Sequence, residues 1–217
     1  MALGYILGKG SAKLLKANLN IPLVLTLSVI PDIDILLEHV DSLAPVLRHR
    51  GPVHSFVASL IVFIPIFLIY RKKAVPYFVA LVQHSLIGDY LTGGQLQLFW
   101  PITQQQYGTG ICILSVQNIA LEWALFVASI VVLLKSRDMF VLFRPHYSNL
   151  ILLAPTFTVL LPTFLSYPLG VPASLIPPHV FLIVVFSASI VIELLRLLSP
   201  SARRTQSALV KGKRRDG

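Results

Sequence analysis

Six apolar segments, at approximately 19–38, 53–70, 74–91, 111–134, 149–170 and 174–198, take up most of this 217-residue chain. A bilayer crossing needs about 20 residues at 1.5 Å each, so the last three segments are long enough and the first three are marginal. Only 12% of residues are charged and the mean hydropathy is +0.78, which leaves too little polar surface to cover a soluble globule. The sequence therefore predicts an all-α polytopic membrane protein with about six transmembrane helices. Pro65, Pro155, Pro162, Pro168, Pro177 and Pro178 fall inside segments and predict kinks, which membrane helices tolerate when neighbours satisfy the freed carbonyls.

The net charge of +9 is distributed in a way that orients the chain rather than suggesting nucleic acid. With the N-terminus in the cytoplasm, six crossings place 16 of the 18 Lys and Arg inside, from Lys9, Lys13 and Lys16 to the tail. The two exceptions are Arg48 and Arg50. This predicts an integral plasma or inner membrane protein with both termini cytoplasmic. Residues 1–198 form the membrane domain, with 1–18 as a short interfacial helix, and 199–217 form a basic disordered tail attracted to anionic lipid. No removable signal peptide is expected, because the first strongly apolar run ends on two aspartates instead of a cleavage site. The single Cys112 excludes an intrachain disulfide and a cysteine-rich metal site.

Three polar islands interrupt the oil. Pro31-Asp32-Ile33-Asp34 closes the first segment, Arg48-His49-Arg50-Gly51-Pro52-Val53-His54-Ser55 opens the second, and His84 and Asp89 lie in the outer half of the third. Charged side chains near lipid are costly, so such clusters are functional by default. The predicted topology brings all three to the extracytoplasmic face. Asp and His together bind zinc, manganese or another divalent ion, and such an ion acidifies its water. Arg48 or Arg50 can hold an anionic group, since a guanidinium matches phosphate geometry. Pro31 should break its helix, which lets Asp32 and Asp34 point at one ion. The loop 92–110 begins Thr92-Gly93-Gly94, where glycines allow close backbone approach, and carries Phe99-Trp100-Pro101 for the interface.

These motifs, in this order, resemble those of the YdjM-like membrane-bound metal-dependent hydrolase family, over roughly residues 1–105. The resemblance implies a multi-pass inner-membrane fold and a divalent metal held by Asp and His. Two departures stand out. That family often carries a histidine close to the N-terminus, whereas Gly4-Tyr5-Ile6-Leu7-Gly8 has none; His39 is the substitute at hand, and whether His39 or His49 is a ligand is left open. Its third motif usually spaces His and Asp four apart, but His84 and Asp89 are five apart, which on an α-helix leaves them about 140° from each other. A bulge near Gly88 would realign them.

Elsewhere, Glu122 sits about midway through the fourth segment with Asn118 one turn earlier. It serves either as a base at the site or as a neutral acid paired with Asn118. His179, near the start of the sixth segment, is an interfacial histidine or a donor behind the site.

The expectation is a metal-dependent hydrolase with Asp32, Asp34, His54, His84 and Asp89 as ligands or their supports, zinc or manganese as cofactor, and Arg50 and Glu122 in catalytic roles. Membrane lipids are its partners, a lipid or lipid-linked ester or phosphoester its substrate, and nucleic acid is excluded. The alternative is a transporter or a non-enzymatic metal-binding membrane protein. A transporter needs ionisable residues across the bilayer, and Glu122 alone extends inward.

Overall fold

A computed structural model describes residues 1–37, 48–92, 94–165 and 171–199. His39, Gly93, Pro168 and the tail from 200 on lie outside the described residues. The described chain is mostly helical, and its one β-bridge pairs Leu96 with Tyr107.

The first half is built from short helices. Helix α1 (Ala2–Leu14) is followed by α2 (Ile21–Leu27), whose first turn is capped by Asn20 Oδ1 accepting from Leu23 N–H at 3.1 Å. Pro31 offers no N–H to carry the helix onward. The chain tightens into a 3₁₀ turn over Ile30–Ile33 before α3 (Asp34–Leu37). Helices α4 (Phe56–Tyr70) and α5 (Val75–Gln83) form a hairpin around the basic turn Arg71–Ala74.

The second half is longer in stride. Helix α6 (Val116–Lys135) leads through α7 (Asp138–Leu142) into the stretch Tyr147–Phe164, where α8 (Leu153–Pro155) is flanked by 3₁₀ and π turns, and then to α9 (Ile176–Leu198).

Among the described residues, three helical stretches are long and apolar enough to cross a membrane: Val116–Lys135, Tyr147–Phe164 and Ala173–Leu198. This is fewer than the six expected. The first apolar segment is broken before Pro31, and the third leaves α geometry after Gln83. The second holds one helix of 15 residues, which spans about 22 Å against a hydrocarbon core of about 30 Å. The prolines also differ from expectation. Pro65 lies within α4, whereas Pro177 and Pro178 occupy the first turn of α9, where a missing N–H leaves no bond unmade.

Helix α1 buries one side and leaves its C-terminal end exposed. It packs along α5 and α6, burying Tyr5 and Ala12. Gly4 and Gly8 make that approach possible: a Cβ at Gly4 would lie 2.4 Å from Ser28 Cβ, and one at Gly8 3.2 Å from Val24 Cγ1. Tyr5 O–H donates to Asp138 Oδ2 at 2.8 Å and Lys9 Nζ reaches the same oxygen at 2.6 Å, tying α1 to α7.

Two cavities mark the ends of this bundle. One is lined by Asn18, Tyr70, Tyr77, Val141 and His146, so the turns that follow or flank Lys16, Arg71–Lys73 and Arg137–Arg144 meet there. The other gathers Met1, Asp32, Arg50, Asp89, Glu122 and His179. Between them lies an apolar core that includes Val24, Leu81, Leu133 and Phe186.

Candidate metal centre

Each residue of Arg50-Gly51-Pro52-Val53-His54-Ser55 has a local task. Arg50 adopts φ 65°, and this left-handed turn aims its backbone N–H at Asp34 Oδ2, 3.2 Å away. At Gly51 any Cβ would lie 2.8 Å from the Arg48 carbonyl oxygen. Pro52 opens a 3₁₀ turn that ends on His54. Ser55 then caps α4, its Oγ accepting from Ala58 N–H at 3.0 Å. The histidine is thereby fixed at the mouth of a helix and fully buried.

The 3₁₀ turn at Pro31 sets the two aspartates on opposite nitrogens of that imidazole. Asp34 Oδ2 lies 2.9 Å from His54 Nδ1, and Asp32 Oδ1 lies 3.3 Å from His54 Nε2. Asp34 also meets His49 Nδ1 through Oδ1 at 2.9 Å. Both Asp34 oxygens are thus engaged behind His54, while Asp32 stands in front of it.

The third island supplies the realignment its spacing requires. Residues His84–Asp89 form a π-helix, whose i→i+5 bonding returns residues five apart to one side. His84 Nε2 accordingly lies 3.3 Å from Asp89 Oδ2 and 3.1 Å from Asp32 Oδ1, while His54 Nε2 lies 3.2 Å from Asp89 Oδ2. The bulge expected near Gly88 is present.

Four atoms therefore converge: Asp32 Oδ1, His54 Nε2, His84 Nε2 and Asp89 Oδ2. His84 Nδ1 lies 3.1 Å from the Ser28 carbonyl oxygen, which can only accept, so Nδ1 carries a proton; Nε2, 3.1 Å from Asp32 Oδ1, is left to donate to that carboxylate or, once deprotonated, to bind an ion. Asp89 Oδ2 is buried and has no hydrogen-bond partner. Acceptors facing one another in a buried site repel unless a proton or a cation lies among them. Four ligands bound tetrahedrally at about 2.0–2.1 Å sit about 3.3 Å from each other. The four His–Asp separations among these atoms are 3.1, 3.2, 3.3 and 3.3 Å. Two groups that share His54 could each hold a metal ion: His54, His84 and Asp89, and Asp32, Asp34, His49 and His54.

The cluster forms one end of a cavity of about 210 Å³, whose other walls come from α6, the 147–164 stretch and α9. Arg50 lines it beside the cluster, with its Nε buried and unpartnered. The loop after α5 folds over this end, where Gln97 N–H donates to the Arg50 carbonyl at 3.1 Å and Phe56 N–H to the Leu98 carbonyl at 2.8 Å. Gly94 serves close approach inside the protein: a Cβ there would lie 3.1 Å from an Arg50 guanidinium nitrogen.

Glu122 and His179 line the same cavity. The pairing expected between Glu122 and Asn118 is replaced, because Asn118 Nδ2 donates to the Ile113 carbonyl at 2.8 Å. One contributor was not foreseen from the sequence, the backbone carbonyl of Ser28, which has no signature; His49, an open choice beside His39, lies against Asp34.

A model of the YdjM inner membrane protein family matches residues 1–167, more than three quarters of the chain. The chain belongs to that family. The match covers every residue of the cluster and Glu122, and stops short of α9 and His179. No curated protein and no solved structure matches the chain.

Proposed function

We propose that this member of the YdjM family is a membrane-embedded, metal-dependent hydrolase acting on an ester or phosphoester of a lipid or lipid-linked substrate. The observation that carries the reading is the set of four converging acceptors at the closed end of a largely apolar cleft. A divalent ion held there, zinc or manganese, supplies Lewis acidity and an acidified water when bound. Asp32, His54, His84 and Asp89 would hold it. Asp34 Oδ2, 2.9 Å from His54 Nδ1, and the Ser28 carbonyl, 3.1 Å from His84 Nδ1, would favour a proton on each Nδ1 and leave each Nε2 to bind the ion. Arg50, whose Nε lacks a hydrogen-bond partner among the described residues, meets an anionic oxygen of the substrate. Glu122, lining the same cleft, takes a proton from the attacking water or meets a polar group of the substrate.

Transport is the poorer reading. The second cavity is lined without any Asp or Glu, and an apolar core lies between the two. We place the basic turns in the cytoplasm with the C-terminal end of α9, and the cleft at the extracytoplasmic face. Met1 lines the cleft, so in this arrangement the N-terminus lies with the cluster, in place of the cytoplasmic position expected from charge alone. Cysteine labelling should find position 72 accessible from the cytoplasmic side and positions 2 and 100 from the other. Labelling of 72 from outside would overturn the orientation.

The function is tested by hydrolysis of a panel of phospholipid and lipid-linked phosphate substrates by metal-loaded wild type and Arg50→Lys. Lysine keeps the charge but loses the planar fork, so activity should fall while metal content stays near wild type. Equal activity would remove Arg50 from substrate binding, and no turnover by wild type would remove the hydrolase reading for this substrate class.

A further inference from the structure

The cleft has two chemically opposite sides. Beside the cluster it offers Arg50, the one lysine or arginine among its described lining residues. From α6 and α9 it offers acceptors. Asn118 is 2% exposed, and its orientation is settled by the Ile113 carbonyl, which can only receive the amide N–H. Its Oδ1 is consequently the free end, buried, without a partner, on a residue that lines the cleft. Glu122, one turn further along α6, presents a carboxylate to the same space. From α9, His179 Nδ1 lies 2.7 Å from the Leu175 carbonyl and donates to it, so the neutral ring offers Nε2 as a third acceptor. A buried acceptor left unmade is costly, and Asn118 Oδ1 is one; the exposed Glu122 and the half-buried His179 line the same cleft beside it.

We infer that this wall recognises a hydrogen-bond donor on the substrate. The substrate is an amphiphile whose ester or phosphoester lies against Arg50 and the four converging acceptors, and whose polar headgroup carries hydroxyl or ammonium protons that meet Asn118, Glu122 and His179. Phe126, Val159, Leu160 and Leu182 complete the lining as hydrocarbon surface, which suits the chains of such a molecule. The inference rests on the hydrolase reading for the direction in which the substrate lies. It assigns Glu122 to the headgroup instead of the attacking water. A site built to accept hydrogen bonds rejects an analogue that lacks the donor, because its own polar groups are then left unpaired.

The test uses full-length, metal-loaded protein in detergent and four phosphodiester amphiphiles with identical chains. Their headgroups are methanol, which has no donor; choline, a cation without a donor; glycerol; and ethanolamine. Equilibrium binding by competition is read beside kcat/KM. Wild type should favour glycerol, ethanolamine or both over methanol and choline by roughly tenfold or more. Preference for glycerol alone identifies a hydroxyl ligand, and for ethanolamine alone an ammonium one. Asn118→Leu and Glu122→Leu should each bring the ratio towards one. Glu122→Gln, which keeps an acceptor but not the charge, should retain a glycerol preference and lose an ethanolamine one. Should Asn118→Leu fail to fold, Glu122→Leu carries the test, since Glu122 lies at the exposed surface. Equal binding of all four by wild type overturns the inference, as does failure to bind any. An equal loss on all four in the Glu122 variants, with the ratio kept, also overturns it and returns Glu122 to the water. Binding with the expected preference but no turnover leaves the acceptor wall standing and removes the hydrolase reading.

Discussion

Residues 21–92 and residues 116–198 are both apolar chains interrupted by a few polar side chains, yet they use their backbones differently. In the first region the longest α-helix is Phe56–Tyr70, and a polar residue is reached at each departure from α geometry. The 3₁₀ turn at Ile30–Ile33 divides Asp32 from Asp34, the left-handed Arg50 precedes the turn that ends on His54, and the π-helix unites His84 with Asp89. In the second region α6 and α9 run 20 and 23 residues, and their polar groups are spaced along a regular face, as Asn118 and Glu122 are. A regular helix can present side chains only in a row. Bringing four atoms within 3.3 Å of their neighbours takes irregular backbone, which is tolerated near a membrane where it is enclosed by protein.

If that division holds, substitutions in the two regions separate metal from substrate. The largest effect is expected from Asp32→Ala and His84→Ala, each of which should abolish stoichiometric divalent metal in protein purified in detergent, while Glu122→Ala retains it. Elemental analysis decides, and loss of metal in Glu122→Ala would erase the distinction. Asp34→Asn comes next: it leaves the four converging atoms intact but weakens the hold on His54 Nδ1, and metal affinity in a competition titration should drop about 10–100-fold.

A residue without chemistry of its own gives the third. Gly4→Ala inserts a methyl group where Ser28 Cβ and Gln83 Nε2 already stand, at 2.4 and 2.7 Å. Overpacking of this kind costs about 1–3 kcal/mol, and here it bears on the carbonyl that holds His84. Thermal unfolding should show the loss, and metal affinity should decline with it. The smallest effect is expected from deleting Gly88. Removing one residue from the π-helix restores α spacing with His84 and the aspartate four apart and still on one face, so metal affinity should change by no more than about two- to threefold. Abolished binding would mean that the π geometry itself, and not the shared face, is required.

The sequence made the membrane class legible through its apolar runs, and the site through the company its polar residues keep. It also showed where the third island would have to deviate, since a five-residue spacing conflicts with a shared α-helical face. Helix count was less legible, because hydropathy registers apolar length and is blind to a backbone that breaks at Ser28 or re-registers at His84. The packing of helix α1 was illegible for a related reason. Its lysines suggest an interface, but Lys9 is spent on Asp138, and Gly4 and Gly8, which carry no hydropathy signal, admit it to the bundle interior. Asn118 Oδ1 could be anticipated only as a polar group on the right face, because its isolation depends on where Ile113 places a carbonyl.

The grip of Asp34 on His54 has a kinetic consequence. One carboxylate bonds the neighbouring His49 and the backbone N–H of Arg50 and stands 2.9 Å from Nδ1 of the fully buried imidazole, so the ring is oriented by the protein before any ion arrives. Little ordering entropy is then left for capture to supply, and an ion entering the cluster need not wait for a loop to fold around it. Uptake should therefore be fast and proportional to free ion, with residence time, not the rate of arrival, carrying whatever discrimination between metals the centre achieves.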